Sequence, residues 1–270
     1  MKLRTLGLAL FGAAGLGVLP ACTKDEAPPP PATPPASASA TGEAAKPAPA
    51  APAPVAVSGR GTVRGVVKFT GQPPAMADIA PSSDPACEGM VLKEQAVLVK
   101  DGKLQNVLVR VRGAVPGAPA APTEPVVVDQ SKCTYLPRVQ GAVSGQALLV
   151  KNSDGTMHNV RGMAGTRALF NLAQPPSAPP VTKPMPGEVE LLQLKCDVHA
   201  WMRGYISVSP HPYFATTGED GAFSMEGVPE GTYTLEAWHE TFGTKTAEVT
   251  VKKEAVSEAA FEFTATDKAL

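Results

Sequence analysis

The sequence has no excess of either charge, no apolar run long enough to cross a bilayer comfortably, and no window with sustained helical periodicity. Its 24 basic and 25 acidic residues give no electrostatic reason for binding nucleic acid or a lipid surface. It has four histidines and lacks the H-x-x-E and H-E-x-x-H patterns of zinc peptidases. These absences argue against a nucleic-acid-binding protein and against a zinc hydrolase.

The first 22 residues have the features of an export signal. Lys2 and Arg4 precede an apolar run over residues 6–19, which is too short for a transmembrane anchor. The run ends in "LPAC", which resembles the lipobox of bacterial lipoproteins. This resemblance implies that residues 1–22 are a lipoprotein signal peptide and that Cys22 carries the lipid. The alternative is an ordinary signal peptide cleaved nearby, with Cys22 incidental.

Residues 23–58 form a linker that is rich in proline and alanine. A segment of this composition cannot bury a core, so we expect a disordered tether. Together with the lipid, the tether predicts an exported protein that is anchored to a bacterial membrane and faces the periplasm or the cell surface. The N-terminal lipid would be its only contact with the membrane.

The cysteines narrow the problem further, because thiols in exported proteins are normally oxidised in pairs. The chain has four: Cys22, Cys87, Cys133 and Cys196. If Cys22 carries lipid, three remain, and one of them must stay unpaired. Cys87 and Cys133 both lie in polar contexts without a nearby metal-binding partner, so a disulfide between them is the economical interpretation. Cys196 is then the free thiol.

Strand patterns dominate the rest of the chain, from about residue 58 onward. The segment "NVLVRVR" alternates valines on one face with arginines on the other, which is typical of a half-buried strand. Comparable runs cover residues 62–69, 146–152, 188–196 and 205–209. The sequence therefore predicts an all-β fold of short strands in sandwiches or Greek-key barrels.

One short segment concentrates metal-binding side chains. "KCDVHAWM" places Cys196, His199 and Met202 at the spacing C-x-x-H-x-x-M, and thiolate, imidazole and thioether groups together suit copper. Zinc sites favour Cys and His without Met. A second histidine must come from elsewhere, and His158 in "SDGTMHNV" follows a predicted strand. Each residue alone could equally be a core or surface residue.

Residues from about 124 to 209 resemble a cupredoxin, through "VSGQALLVKNSD" leading into "HNV", the Cys-His-Met loop, and "GYISV". The short loop is similar to that of amicyanin-like members. The resemblance implies a Greek-key barrel over residues 120–209 and one mononuclear type 1 copper held by four ligands: His158, Cys196, His199 and Met202. The Pro-rich stretch 173–187 is a departure that could cover the copper end or extend a partner surface.

The same resemblance implies roles for the neighbours of the ligands. Asn159 would hydrogen-bond to the cysteine-bearing loop and hold the ligands in place. His199 would reach the surface as the electron exit, and Trp201 would contribute to an apolar patch where a partner docks. The alternative for Trp201 is core packing.

The segments "GTVRGVVKFTGQPP" and "ATTGEDGAFSMEGVPEGTYTLEAWHETFGTKTAEVTV" (215–251) lie on either side of this region. They resemble the opening and the closing half of a carboxypeptidase regulatory-like (transthyretin-like) β-sandwich. We expect residues 59–115 and 210–265 to form one discontinuous domain that brackets the copper domain. The simpler alternative is two sequential domains, with the N-terminal strands belonging to the cupredoxin. His211 and His239 would form a second metal site if the sandwich brought them together, or they are simply hydrogen-bonded histidines.

The leading hypothesis is a tethered blue-copper protein that passes single electrons to a redox protein partner and is not an enzyme. Multicopper oxidases and copper nitrite reductases need further centres built from histidine, and too few histidines remain here. A small-molecule substrate is not expected. The alternatives are a copper carrier or chaperone, and a non-catalytic cell-surface binding module.

Overall fold

The computed structural model describes residues 59–79, 84–88, 93–187 and 189–269. The predicted signal peptide, the linker and Cys22 lie outside these residues. The described chain is almost entirely β-structure, with one 3-10 turn at Pro85–Cys87. The all-β prediction is therefore confirmed. No helix in this part of the chain is long and apolar enough to span a membrane.

The strands are numbered in chain order. They are β1 (Arg60–Thr70), β2 (Val99–Lys100), β3 (Lys103–Leu104), β4 (Leu108–Val111), β5 (Val126–Ser131), β6 (Thr134–Leu136), β7 (Val139–Val143), β8 (Ala147–Asn152), β9 (His158–Ala164), β10 (Arg167–Gln174), β11 (Val181–Pro184), β12 (Leu191–Lys195), β13 (Arg203–Ser209), β14 (Phe214–Thr216), β15 (Ala222–Pro229), β16 (Gly231–His239), β17 (Gly243–Val251) and β18 (Val256–Thr264).

Two of the four sheets combine strands from the beginning and the end of the described chain. β1 pairs with β15 in antiparallel and with β18 in parallel orientation, and β3 and β2 continue this sheet. The facing sheet has the order β14-β4-β16-β17. Their inward side chains form one apolar core that contains Val67, Leu235 and Phe263. The N-terminal strand therefore shares its sheet and its core with the C-terminal strands.

The middle of the chain supplies the other two sheets. One has the order β10-β9-β12-β13-β7 and the other β11-β8-β5-β6, and both are open. They enclose a second core that contains Val150, Leu194 and Ile206. Within the Pro-rich stretch 173–187, Val181–Pro184 forms β11 at a sheet edge, and Met185 packs into this core.

Buried polar contacts join the two halves. Arg138, between β6 and β7, donates two hydrogen bonds to Glu240 at the end of β16, at 2.6 and 2.8 Å. A small cluster of Leu108, Val139 and Tyr205 lies at the same junction. The four predicted copper ligands lie in or beside the second core.

Candidate metal centre

His158 follows a turn between β8 and β9 that is stabilised by hydrogen bonds among the polar residues of the turn. β8 ends at Asn152, whose side-chain amide donates to the carbonyl of Thr156, while its oxygen accepts from the backbone of Asp154. β9 begins at His158, which is fully buried. Its Nε2 lies 2.9 Å from Asp154 Oδ2. The ring is thus held at its outer nitrogen, and Nδ1 faces the interior.

The second imidazole and the thiol come from the loop between β12 and β13. Its ends meet, because Cys196 donates its backbone N–H to the carbonyl of Met202 at 3.4 Å, and Met202 donates to the carbonyl of His199 at 3.0 Å. The backbone N–H of His199 points to Cys196 Sγ at 3.4 Å. The Met202 side chain is buried in the same core as Cys196. All four sequence-predicted ligands therefore lie in or beside one buried region.

Three donor atoms converge there. Nδ1 of His158 and Nδ1 of His199 are 2.9 Å apart. One ligand atom from each histidine and the Cys196 sulfur lie within 4.8 Å of one another, and all three residues are buried. Cys196 is also the free cysteine of the described chain. This is the arrangement that a mononuclear site with two imidazoles and one thiolate requires.

The surroundings of Cys196 favour its thiolate form, which is the form that binds metal ions. Burial alone would raise the pKa of Cys196, but hydrogen bonds from His158, Asn159 and His199 lower it below its ordinary value. Burial opposes the charged form of His158 as well, yet the Cys196 and Asp154 hydrogen bonds raise its pKa. The pKa of His199 is lowered by its burial and by the nearby positive charge of His158.

Whether these residues fit a metal ion depends on which ring nitrogen of each histidine carries a proton. Nε2 of His158 lies beside Asp154, and Nε2 of His199 lies 3.3 Å from Asp84 Oδ2. If each Nε2 carries a proton for its carboxylate, both Nδ1 atoms present lone pairs to each other, and a proton or a metal ion must lie between them. A thiolate and two inward-facing imidazoles match copper, so the residues fit that ion.

Asn159 holds the thiol loop in place. Its side-chain oxygen accepts from the backbone N–H of Asp197 at 2.7 Å and lies 3.3 Å from Cys196 Sγ. Its amide donates to Asn171 Oδ1 at 2.7 Å and to Asp197 at 3.1 Å, and Asn171 also donates to Asp197 at 2.9 Å. Sequence reasoning missed Asn171 and Asp197, and only the position of Asp197 directly after Cys196 hinted at its role.

His199 is not at the surface, contrary to the expectation from the resemblance. Its exposed fraction is 2 %. The 3-10 turn Pro85–Cys87 lies over its outer edge, with Cys87 Sγ 3.6 Å from Nε2 and the Asp84 carboxylate beside it. The prediction was wrong because this segment lies outside the part of the chain that carries the resemblance.

The structure joins Cys87 and Cys133 by a disulfide. Lys132 and Cys133 both adopt left-handed backbone conformations, with φ of 54° and 53°. Their successive N–H groups donate to Asp154 at 2.7 and 2.8 Å. The carboxylate that contacts His158 therefore also holds the turn to which the cover over His199 is bonded.

Trp201 is half-buried and packs against the second core. Its indole N–H donates to the carbonyl of Cys133 at 3.0 Å, and its ring lies 5.0 Å from that of His199. Two exposed apolar residues adjoin the ligands in sequence: Met157, directly before His158, and Val198, in the thiol loop. Trp201 thus takes part in packing.

The remaining histidines are buried at separate places. His211 contacts Ser209 and Tyr213, and His239 stacks on Phe242. Neither belongs to any group of potential metal ligands among the described residues.

Comparisons with known proteins give partial likenesses. Residues 192–259 match the family described as polysaccharide lyase family 4, domain II. No curated protein matches the chain.

Among solved structures, the reduced state of an amicyanin variant is 22 % identical over 37 % of this chain and 98 % of its own, with a TM-score of 0.29. A purple cupredoxin from Nitrosopumilus maritimus is 20 % identical over 31 % of this chain and 99 % of its own, with a TM-score of 0.25. A Cu-containing nitrite reductase from Thermus scotoductus is 18 % identical over 36 % of this chain and 25 % of its own, with a TM-score of 0.27. Likenesses this weak carry no functional argument, so function must be argued from the site itself.

Proposed function

We propose that this chain binds one copper ion at His158, Cys196, His199 and Met202 and transfers single electrons. One observation carries the proposal: two imidazole Nδ1 atoms and a free thiol converge in a buried space. Bound copper would supply a one-electron couple between Cu(I) and Cu(II). Cys196 would provide a thiolate, His158 and His199 two imidazoles, and Met202 a thioether to hold the ion.

The contacts around the ligands support electron transfer. Nε2 of His158 lies 2.9 Å from Asp154 Oδ2, Nε2 of His199 lies 3.3 Å from Asp84 Oδ2, and Cys196 Sγ lies 3.3 Å from Asn159 Oδ1. Ligands that are held in this way move little when the charge of the metal changes, which favours rapid electron exchange. The donors are also sealed from solvent. An electron needs no opening, whereas a substrate does, so the geometry favours electron transfer over catalysis.

A copper carrier is the second candidate, and the same burial argues against it. Delivery of copper to another protein requires an accessible ligand, whereas His199 lies beneath a segment that a disulfide ties down. A non-catalytic binding module would not need a metal site, so it would not explain why His158, Cys196 and His199 converge.

We also propose how the copper site relates to the other domains and to the membrane anchor. The pairing of β1 with β15 and β18 supports a discontinuous sandwich of residues 59–115 and 210–265 around a copper domain of residues 120–209. The N-terminal features support export and a lipid anchor at Cys22, facing the periplasm or the cell surface. The redox protein partner would dock near Trp201.

The test is addition of one equivalent of Cu(II) to the purified exported protein, followed by visible absorption and EPR spectroscopy. We expect an intense thiolate-to-copper band and narrow copper hyperfine splitting, both absent in Cys196→Ser. A colourless complex, or spectra that Cys196→Ser leaves unchanged, would overturn the proposal. Rapid loss of copper to a chelator from a coloured site would instead favour the carrier.

A further inference from the structure

One of the two carboxylates at the metal centre reaches it from outside the copper domain. Asp154 precedes His158 by four residues, in the same turn. Asp84 lies before β2, far from the ligands in sequence, and its Oδ2 is 3.3 Å from His199 Nε2. The site as assigned from residues 120–209 is therefore incomplete, because the outer nitrogen of one histidine depends on a distant segment.

Three bonds hold Asp84 in that position. Its Oδ1 caps the 3-10 turn by accepting from the backbone N–H of Ala86 at 2.9 Å. Its Oδ2 accepts from the hydroxyl of Thr156, two residues before His158. The same turn ends at Cys87, whose disulfide to Cys133 anchors the segment to the β5–β6 turn. A capped turn, a hydrogen bond to a residue distant in sequence and a disulfide thus locate this carboxylate.

We propose that Asp84 is a positioning residue for His199, and that the Cys87–Cys133 disulfide serves to hold it there. Its carboxylate accepts from Nε2 of His199. This keeps the proton on Nε2, leaves the Nδ1 lone pair pointing to Nδ1 of His158, and closes the outer edge of the ring. The metal-facing orientation of the imidazole is thereby set before any metal arrives.

The carboxylate also adds negative charge next to a ligand. A carboxylate that accepts from a ligating histidine increases the basicity of the imidazole, and loss of such a partner typically weakens metal binding by about 10- to 100-fold. A negative charge favours Cu(II) over Cu(I). The predicted effects on copper affinity and on the midpoint potential rest on the proposed function. The predicted tautomer of His199 does not.

The first test needs no metal. Long-range ¹⁵N–¹H NMR of the metal-free protein reports which ring nitrogen of His199 carries the proton. We expect Nε2–H in the wild type and a mixture of tautomers in Asp84→Ala. A wild-type proton on Nδ1 alone, or an unchanged Nε2–H tautomer in Asp84→Ala, would overturn the inference whatever the protein does with copper.

The second test uses the copper-loaded protein. Asp84→Asn keeps the cap on Ala86 and removes the charge. We expect it to lower the ratio of Cu(II) to Cu(I) affinity by roughly tenfold, which raises the midpoint potential by about 59 mV. The double variant Cys87→Ser/Cys133→Ser keeps the carboxylate but frees the segment, and we expect a shift of the same sign. An unchanged potential in Asp84→Asn would overturn the inference.

Asp220 offers a matched control. Its Oδ1 accepts from the backbone N–H of Ala222 at 3.0 Å, which is the same local bond that Asp84 makes to Ala86. Asp220→Asn should leave both the tautomer and the potential at wild-type values. If the control shifted the potential as much as Asp84→Asn, the effect would come from net charge alone, and the positioning role would be refuted. If no copper bound to the wild type, the proposed function would fail, and the NMR test would still decide the role of Asp84.

Discussion

Stability against acid should depend on His239, a fully buried histidine at the end of β16. Its ring stacks on Phe242 with centroids 4.8 Å apart, and Nδ1 accepts from the backbone N–H of Thr241 at 3.2 Å. Its Nε2 has no hydrogen-bond partner among the described residues. Burial, with a smaller effect from the positive charge of Arg138, lowers the pKa of His239 from 6.5 to about 4.

The sign follows from where the proton binds. Between these two pKa values the unfolded chain takes up a proton that the folded protein does not, so stability falls as the pH falls. The contribution is complete above about pH 6.5 and is lost as the pH falls to about 4. At about 1.4 kcal/mol for each pKa unit, the loss is roughly 3 kcal/mol.

Urea unfolding of metal-free wild type and His239→Asn, at about pH 7.5 and about pH 4.5, measures this loss. Asparagine does not titrate, and its side-chain oxygen can replace Nδ1 as the acceptor. We expect the wild type to lose roughly 2 to 3 kcal/mol more than the variant between the two pH values. Equal losses would refute the reasoning. If His239→Asn did not fold, an NMR titration of the His239 ring would decide, since a midpoint near 6.5 would contradict the lowered pKa.

Three further predictions concern the junction, the first sheet and the bonds beside the site. Arg138 and Glu240 form a buried ion pair with side chains 10 % and 6 % exposed. Arg138→Met leaves the Glu240 carboxylate buried without this partner and should cost roughly 3 to 5 kcal/mol in urea unfolding, and adding Glu240→Leu should recover most of this loss. A loss below about 1 kcal/mol in Arg138→Met would contradict this expectation. Gly65→Ala would place a Cβ 1.7 Å from a carbonyl oxygen of β18 and should lower the Tm severely, whereas Gly155→Ala, in open space, should leave it nearly unchanged. Asn171→Ala should weaken copper affinity by about tenfold, and an unchanged affinity would show that this side chain does not support the thiol loop.

Local patterns in the sequence predicted the positions of many strands. The alternating run at 62–69 lies in β1, and the run at 205–209 lies in β13. Such patterns reflect which face of a strand is buried, a property of neighbouring residues. Which strands pair is not local, and the parallel pairing of β1 with β18 joins residues almost 200 positions apart.

The ligands could be found from sequence for a similar reason. Cys196, His199 and Met202 share one loop, so their spacing alone indicated a site. Asp84 had no such signal, because its relation to His199 exists only after a turn and a disulfide fold over the loop. The error about the exposure of His199 has the same origin, since a resemblance confined to the middle of the chain says nothing about what the flanking segments cover.

The buried position of His199 changes how the proposed redox partner would reach the site. If the site transfers electrons as proposed, an electron would have to pass through packed side chains, because a carboxylate and a disulfide close the edge of His199. The half-buried ring of Trp201 lies 5.0 Å from that imidazole. Val198, in the same loop, is 53 % exposed. We therefore expect a partner to contact the thiol loop as a surface, with its apolar residues excluding water, while the cover keeps small ligands from the imidazole. Such a cover is compatible with the proposed electron transfer if the loop itself is the contact, because electrons can cross close-packed atoms that exclude small ligands.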